Sequence, residues 1–279
     1  MKKIAKLTFR FIAGIIGLLV IVGVYATYIE GKLLTVKKHD ISIDEKGTNK
    51  LKLVQITDTQ LGDYYSLEQL KKVALKINDI KPDIVVFTGD LIDNAAKYQE
   101  VSKVSEILSK IKADKGKYAI YGNHDIGGGA MRYYKDIMGK AGFKVIKNSK
   151  ETIALNNRKL HIFGGDDALL GNHNSAKTME GISEKDINLL LIHEPDLIDQ
   201  YKSYPIDLAL SGHSHGGQVS LPFYGPLIKI ELTEKYNKGM YSIENKRKTR
   251  LYVSSGLGNT KLPFRFGNIP SIESFSIIY

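Results

Sequence analysis

The chain of 279 residues has no cysteine and only 7 prolines. Without thiols there is no disulfide scaffold, no thiolate zinc site, no iron–sulfur cluster and no cysteine nucleophile. Scarce proline beside 43% hydrophobic and 25% charged residues excludes a disordered, collagen-like or coiled-coil chain. Internal repeats and low-complexity tracts are also missing. Acidic residues are outnumbered, 30 against 40 basic, for a net charge of +10. That excess is local. Residues 1–38 hold Lys2, Lys3, Lys6, Arg10, Lys32, Lys37 and Lys38 against Glu30 alone, which leaves the other 241 residues at +4. A body of that charge offers little of a basic groove, and no nucleic-acid partner is expected.

What is there first is an apolar run, FIAGIIGLLVIVGVYATYI, from Phe11 to Ile29 without a charge. Roughly 20 apolar residues cross a bilayer core of about 30 Å. The basic residues before it keep the N-terminus cytoplasmic, and Tyr25 and Tyr28 sit as an aromatic belt. The reading is a signal-anchor over residues 1–30 that leaves the rest of the chain extracytoplasmic. A cleaved secretory signal is the alternative, with small residues around Ala26 near a cutting point. Residues 31–50 read as a linker plus a first hairpin strand, and 51–279 as one α/β domain.

Leu67, Leu70, Ala74 and Ile77 form one helical stripe, opened by a capping box of Ser66 and Gln69. Val101, Val104, Leu108 and Ile111 repeat the spacing in a second helix. Continuous apolar runs of the kind buried parallel strands show occupy 51–57, 83–89 and 117–122, and further strands are expected near 143–146, 160–164, 187–192, 207–212, 239–243 and 250–255. The Gly/Asn/Ser-rich stretch 164–183 reads as a long loop, with Asp166 and Asp167 in a solvated turn. Tyr64, Tyr65, Phe223 and Tyr224 could line an apolar groove or simply reflect an abundance of tyrosine.

The informative pattern lies in the polar residues just past each apolar run: Asp58; Asp90 and Asp93; Asn123, His124 and Asp125; His193; His213 and His215. Ligands of open α/β sheets bind beyond the carboxyl ends of the strands. Carboxylates, an amide oxygen and neutral imidazoles together suit divalent Mn, Fe or Zn. Their number exceeds the need of one ion. A shared Asp can bridge two ions, whose bridging hydroxide then attacks phosphorus in line. An imidazole held by a carboxylate is suited to protonating the leaving oxygen.

The ordered set Asp58, Gly89-Asp90-Leu-Ile-Asp93, Gly122-Asn123-His124-Asp125, His193, Gly212-His213-Ser-His215 resembles the calcineurin-like metallophosphoesterases. GHSHGGQVSLPFYGPL (212–227) and SGLGNTKLPFRFG (255–267) resemble their membrane-anchored bacterial branch, which includes phosphodiesterases likened to UDP-2,3-diacylglucosamine hydrolase. The resemblance implies a four-layer α/β/β/α sandwich of two mixed sheets flanked by helices, behind the N-terminal transmembrane helix. It implies Asp58 and His215 at a first metal, Asn123, His193 and His213 at a second, and Asp90 shared. His124 with Asp93 falls near the leaving group, and Arg265 is expected to pair with a phosphate oxygen. The expected activity is hydrolysis of phosphomono- or phosphodiesters, with a lipid- or envelope-linked substrate suggested by the anchor. One position departs. Gln60 stands where the family usually has His, and an amide oxygen is the weaker ligand for Fe or Zn. The alternative function is therefore a degenerate single-metal protein that binds a phosphorylated ligand without turnover.

Overall fold

Runs of buried Val, Leu and Ile alternate with amphipathic stretches, and each finds its partner in a layer. The computed structural model describes residues 2–156 and 158–279. The elements in chain order are α1 (Lys2–Tyr28), β1 (Thr35–Ser42), β2 (Lys50–Ile56), α2 (Leu67–Ile80), β3 (Ile84–Phe87), α3 (Val101–Ser109), β4 (Lys117–Ala119) and α4 (Asn123–Gly127). Next come α5 (Tyr134–Lys140), β5 (Phe143–Val145), β6 (Ser149–Ala154), β7 (Lys159–Gly164), α6 (Ser175–Thr178), β8 (Ile187–Leu191) and β9 (Leu208–Ser211). The chain closes with β10 (Ser220–Leu221), β11 (Gly225–Pro226), β12 (Gly239–Ser242), β13 (Arg250–Val253) and β14 (Ser271–Ile278).

Two six-stranded mixed sheets result, in the orders β1-β14-β2-β3-β4-β5 and β12-β13-β9-β8-β7-β6. They face each other across Leu51, Leu53, Ile84 and Val86 from one sheet and Ile162, Leu189, Leu208 and Leu210 from the other. Successive strand residues point to opposite faces, so Val54, Ile56, Val85 and Phe87 turn outward onto Leu70, Val73, Ile77, Val104 and Leu108 of α2 and α3. The second sheet is backed by Leu197, Ile198 and Tyr201 of a 3-10 segment, Pro195–Tyr201. Four layers stand as the resemblance implies, with the outer helical layer on the second sheet built mainly from 3-10 turns. Buried Gln55 ties the sheets, donating to Thr88 Oγ1 and to Ser211 O at 2.9 Å each. Ser66 does cap α2 with Gln69.

The linker region differs from expectation. β1 does not form a hairpin with β2; it runs parallel to β14, which lies between them. The pairing of Thr35 with Ser271 joins residues from the two ends of the body, so no local turn dictates it. α1, at 27 residues, is about 40 Å long at 1.5 Å per residue, enough to cross a bilayer core. It is the one helix among the described residues long and apolar enough to do so.

Candidate metal centre

Five strands from two sheets end at one edge. Asp58 and Gln60 follow β2, Asp90 follows β3, and β4 leads to Asn123 and His124 in the first turn of α4. His193 follows β8, and His213 and His215 follow β9. To reach this edge the backbone leaves its strands abruptly. Asp58, Gln60, Asp90, His213 and His215 all take φ between 47° and 66°. That left-handed region costs a side-chain-bearing residue roughly 1–2 kcal/mol, and such strain gathers at functional sites. Gly89 precedes Asp90 at φ 98°, and a Cβ there would lie 2.5 Å from His193 Nδ1. Only glycine fits.

Asp90 is the hub. Its Oδ1 accepts from His124 N (2.9 Å), its Oδ2 accepts from Gln60 Nε2 (2.7 Å), and His193 Nε2 stands 3.4 Å from Oδ2. Ligand atoms of Asp90, His193 and His213 lie within 4.8 Å of one another. Beside them, Asp58 accepts from Thr57 Oγ1 (2.7 Å) and His213 N (3.1 Å), with His215 Nε2 3.7 Å away.

The hydrogen bonds select the free nitrogen of each ring. His193 Nδ1 donates to Thr88 O (2.7 Å), His213 Nε2 to Glu231 O (3.0 Å) and His215 Nδ1 to Gly258 O (3.2 Å). Backbone carbonyls thereby fix each ring and aim its opposite nitrogen at the centre, the arrangement metal-holding histidines need. Burial opposes a charged His193, but Asp90 and Asp58 outweigh it and hold that ring well above the usual imidazole range. Burial, helped by the charge of His193, pushes His213 down to about 4. Burial and the Arg265 guanidinium hold His215 well below the usual imidazole range. Both rings stay neutral. Burial works against ionised Asp90, but His193 and His124 outweigh it and keep the carboxylate charged. Asp58, buried and facing the charge of Asp90, is pushed up to about 6.

Three buried atoms in this group, Gln60 Oε1, Asn123 Oδ1 and His193 Nε2, have no hydrogen-bond partner among the described residues. Leaving a buried polar atom unpaired costs about 1–3 kcal/mol. Two amide oxygens and an imidazole nitrogen, beside the ionised Asp90 and the neutral rings of His213 and His215, form a donor set that fits divalent cations, which would displace the His193 proton. His124 Nδ1 lies 2.8 Å from the Asp93 carbonyl and 3.3 Å from its carboxylate Oδ1. The backbone oxygen is thus the nearer of its two holders. Burial opposes the imidazolium, but Asp90 and Asp93 raise His124 above its ordinary value. An open cleft of about 330 Å³ is lined by Asp90, Asn123, His124, His213 and His215, with Leu169, Ile230 and Lys261 at its walls.

Residues 51–217 match the family described as calcineurin-like phosphoesterase. The chain belongs to that family. It is 43% identical to an uncharacterized metallophosphoesterase, YkuE of Bacillus subtilis, over 91% of this chain and 88% of that one. A second B. subtilis metallophosphoesterase, YkoQ, is 29% identical over 87% and 90%. The UDP-2,3-diacylglucosamine pyrophosphatase LpxG of Chlamydia muridarum is 26% identical over 93% and 94%. The protein is a metal-dependent phosphoester hydrolase.

Within this phosphoesterase, Arg265 is not where the sequence suggested. It is fully buried, outside the cleft lining. Its Nε donates to Asn259 Oδ1 (2.8 Å), Nη1 to Ser255 O (2.8 Å) and Asn268 O (3.1 Å), and Nη2 to Gly258 O, 3.3 Å from His215 Nδ1. With its donors so committed, no fork remains for a phosphate oxygen. Arg265 instead braces the carbonyl that takes the His215 proton. Asp166 and Asp167 are likewise buried rather than solvated. Asp166 accepts from Asn172 N (2.7 Å) and Asp167 from Leu170 N (2.6 Å), closing the loop beside the cleft. Tyr65 packs in the core, while Phe223 and Tyr224 are exposed and away from the cleft lining.

Asp125 had no assigned role, yet it shapes the centre. Its carboxylate accepts from Asp90 N (2.8 Å), Leu91 N (2.9 Å) and Gly122 N (2.9 Å), clamping the Asp90 turn to the start of α4. Its place inside the Asn123–Asp125 motif was the available signal. The wall residues Leu169, Ile230 and Lys261 carried no sequence signal.

Proposed function

We propose that this phosphoesterase holds two divalent ions, Mn, Fe or Zn, and hydrolyses a phosphomono- or phosphodiester of a membrane-linked compound. Asp58, Gln60 and His215 would hold the first ion, Asn123, His193 and His213 the second, and Asp90 both. When bound, the pair supplies Lewis acidity to the phosphoryl group and an activated water as nucleophile. The observation that carries the reading is the set of three buried polar atoms around Asp90 without a hydrogen-bond partner among the described residues.

The chain's own residues do the rest. His124, held through Nδ1 by Asp93, turns Nε2 to the cleft and carries a proton to the leaving oxygen, the task its raised pKa suits. Lys261 at the rim offers a cation for the incoming phosphate, and Leu169 with Ile230 narrows the access of water. A membrane-linked substrate is supported by α1 as a single-pass anchor and by the UDP-2,3-diacylglucosamine in the name of the LpxG relative. The catalytic body would then lie outside the cytoplasmic membrane, because Lys2, Lys3, Lys6 and Arg10 precede the apolar run of that helix.

Elemental analysis with a panel of phosphoesters tests the reading. Two ions per chain and turnover of bis-p-nitrophenyl phosphate are expected, and both fall in His213→Ala. Wild-type metal content and rate in that variant would refute the centre. One ion and no turnover in the wild type would instead favour the phospho-ligand binder that Gln60 suggests.

A further inference from the structure

The loop after the last histidine motif carries an apolar tip with no task in hydrolysis. Residues 219–228 fold as a small hairpin in which β10 and β11 pair Ser220 with Pro226 and Leu221 with Gly225. Phe223 at its turn is fully exposed, Tyr224 is 76% exposed, and Leu227 and Ile228 are about half exposed. Phe223 is also held at φ 64°, so the backbone bears strain to present an aromatic ring to solvent.

The hairpin is splinted to the end of α1. Ser220 N donates to Phe266 O (2.7 Å), and the neighbouring Arg265 N donates to Ala26 O (3.1 Å). The Phe266 ring packs edge-on against Tyr25, with centroids 6.5 Å apart. Glu30, just past the helix, is buried and accepts from Asn268 N at 2.6 Å. Tyr25, Leu221, Pro222 and Phe266 line one common cavity of about 710 Å³. Two adjacent residues thus tie the hairpin to the last turn of the helix. Lys229 and Lys261, both exposed, flank it on the body side, and Lys32 is exposed beyond the helix.

We infer that the 219–228 hairpin is an interfacial foot that inserts Phe223, Tyr224, Leu227 and Ile228 into the bilayer surface crossed by α1. This rests on the reading of α1 as an anchor. Aromatic and aliphatic tips flanked by lysine suit the boundary between acyl chains and anionic headgroups. A tether alone would let the body swivel; a second foot fixes its face. The foot leads to the centre, because Ile228 and Ile230 line a small recess that reaches His215. A phosphoester presented from the bilayer would therefore enter along this wall.

The chain has no tryptophan, so one introduced residue is a unique reporter. The full-length protein carrying Phe223→Trp, and separately Val20→Trp within α1, is reconstituted in vesicles of equal parts phosphatidylcholine and phosphatidylglycerol with brominated acyl chains. Blue-shifted and quenched emission is expected from both. Quenching in Val20→Trp with solvent-like emission in Phe223→Trp overturns the foot and leaves the anchor standing. Absence of quenching in both overturns the anchor and the foot with it. Blue-shifted but unquenched emission in Phe223→Trp points to a protein contact, such as a second copy, and also overturns the proposal.

Discussion

Gln60 is where this phosphoesterase departs from its family's usual pattern, and the geometry gives the amide two jobs with separable consequences. Its Nε2 donates to Asp90 Oδ2 at 2.7 Å, and its Oε1 is buried without a partner. A buried hydrogen bond to a charged group is worth about 1.5–3 kcal/mol. At about 1.4 kcal/mol per factor of ten, its loss in Gln60→Ala corresponds to roughly 10–100-fold, the range seen when groups supporting metal ligands are removed. On the proposed two-ion centre, the weaker Mn binding step, followed calorimetrically on chelator-stripped protein, should lose affinity by about that factor. The rate on bis-p-nitrophenyl phosphate should fall at limiting Mn and recover partly at high Mn. Gln60→His, which replaces a weak amide ligand by an imidazole, should tighten the same step. Unaltered Mn affinity and rate in Gln60→Ala would refute the assignment of Gln60 to the centre.

Four further outcomes are expected from the geometry. Asp125→Asn keeps the shape but turns an amide N–H toward backbone N–H groups, so at least one of the three bonds clamping the Asp90 turn is lost and Mn affinity should fall about 10–100-fold in the same calorimetry. Arg265→Met strips a buried cation from the carbonyls of Ser255, Gly258 and Asn268 and should cost about 3–5 kcal/mol of stability to urea. Its KM for phosphoesters should be unchanged, whereas a raised KM would reinstate a substrate contact. For Asp58 the folded-state pKa is raised to about 6, so ionisation costs stability above pH 4, increasingly up to about pH 6. Chelated Asp58→Asn should therefore be inactive, and its stability relative to wild type should rise by about 2–3 kcal/mol between pH 4 and pH 8. Gly89→Ala, forced against His193 Nδ1, should lose ions while its far-ultraviolet spectrum is retained.

The elements and the residues of the candidate centre that were legible are those that short-range chemistry dictates. Ser66 and Gln69 cap α2 because the two bonds close within four residues. Asp58, Asp90, Asn123, His193 and His213 are legible because each directly follows an apolar run, and a buried strand must end where its polar residue begins. What escaped depends on distant partners. β14 alternates buried serines and a glutamate with its apolar residues, and only its place between β1 and β2 makes it a central strand. The sequence likewise shows a charge at Arg265 but not the acceptors around it, which come from a separate turn. Asp166 and Asp167 resemble a solvated turn until Asn172 N and Leu170 N close on them.

The centre is also where the fold is least at ease without a cation. Five of its residues hold left-handed backbone angles, two buried carboxylates face each other, and three buried polar atoms lack partners among the described residues. Each feature separately costs on the order of 1–3 kcal/mol. Sequences that fold to such a place keep it because the surroundings over-determine it: Asp125 clamps the Asp90 turn, Arg265 braces the Gly258 carbonyl, and Thr88 fixes the His193 ring. Divalent ions would relieve two of the three costs at once, pairing the polar atoms and screening Asp58 from Asp90. The strained backbone would remain, held by both sheets, so the geometry exists before the ligand arrives. That is the preorganisation a phosphoester hydrolase needs, and it locates the cost of function in the strand ends rather than in the core.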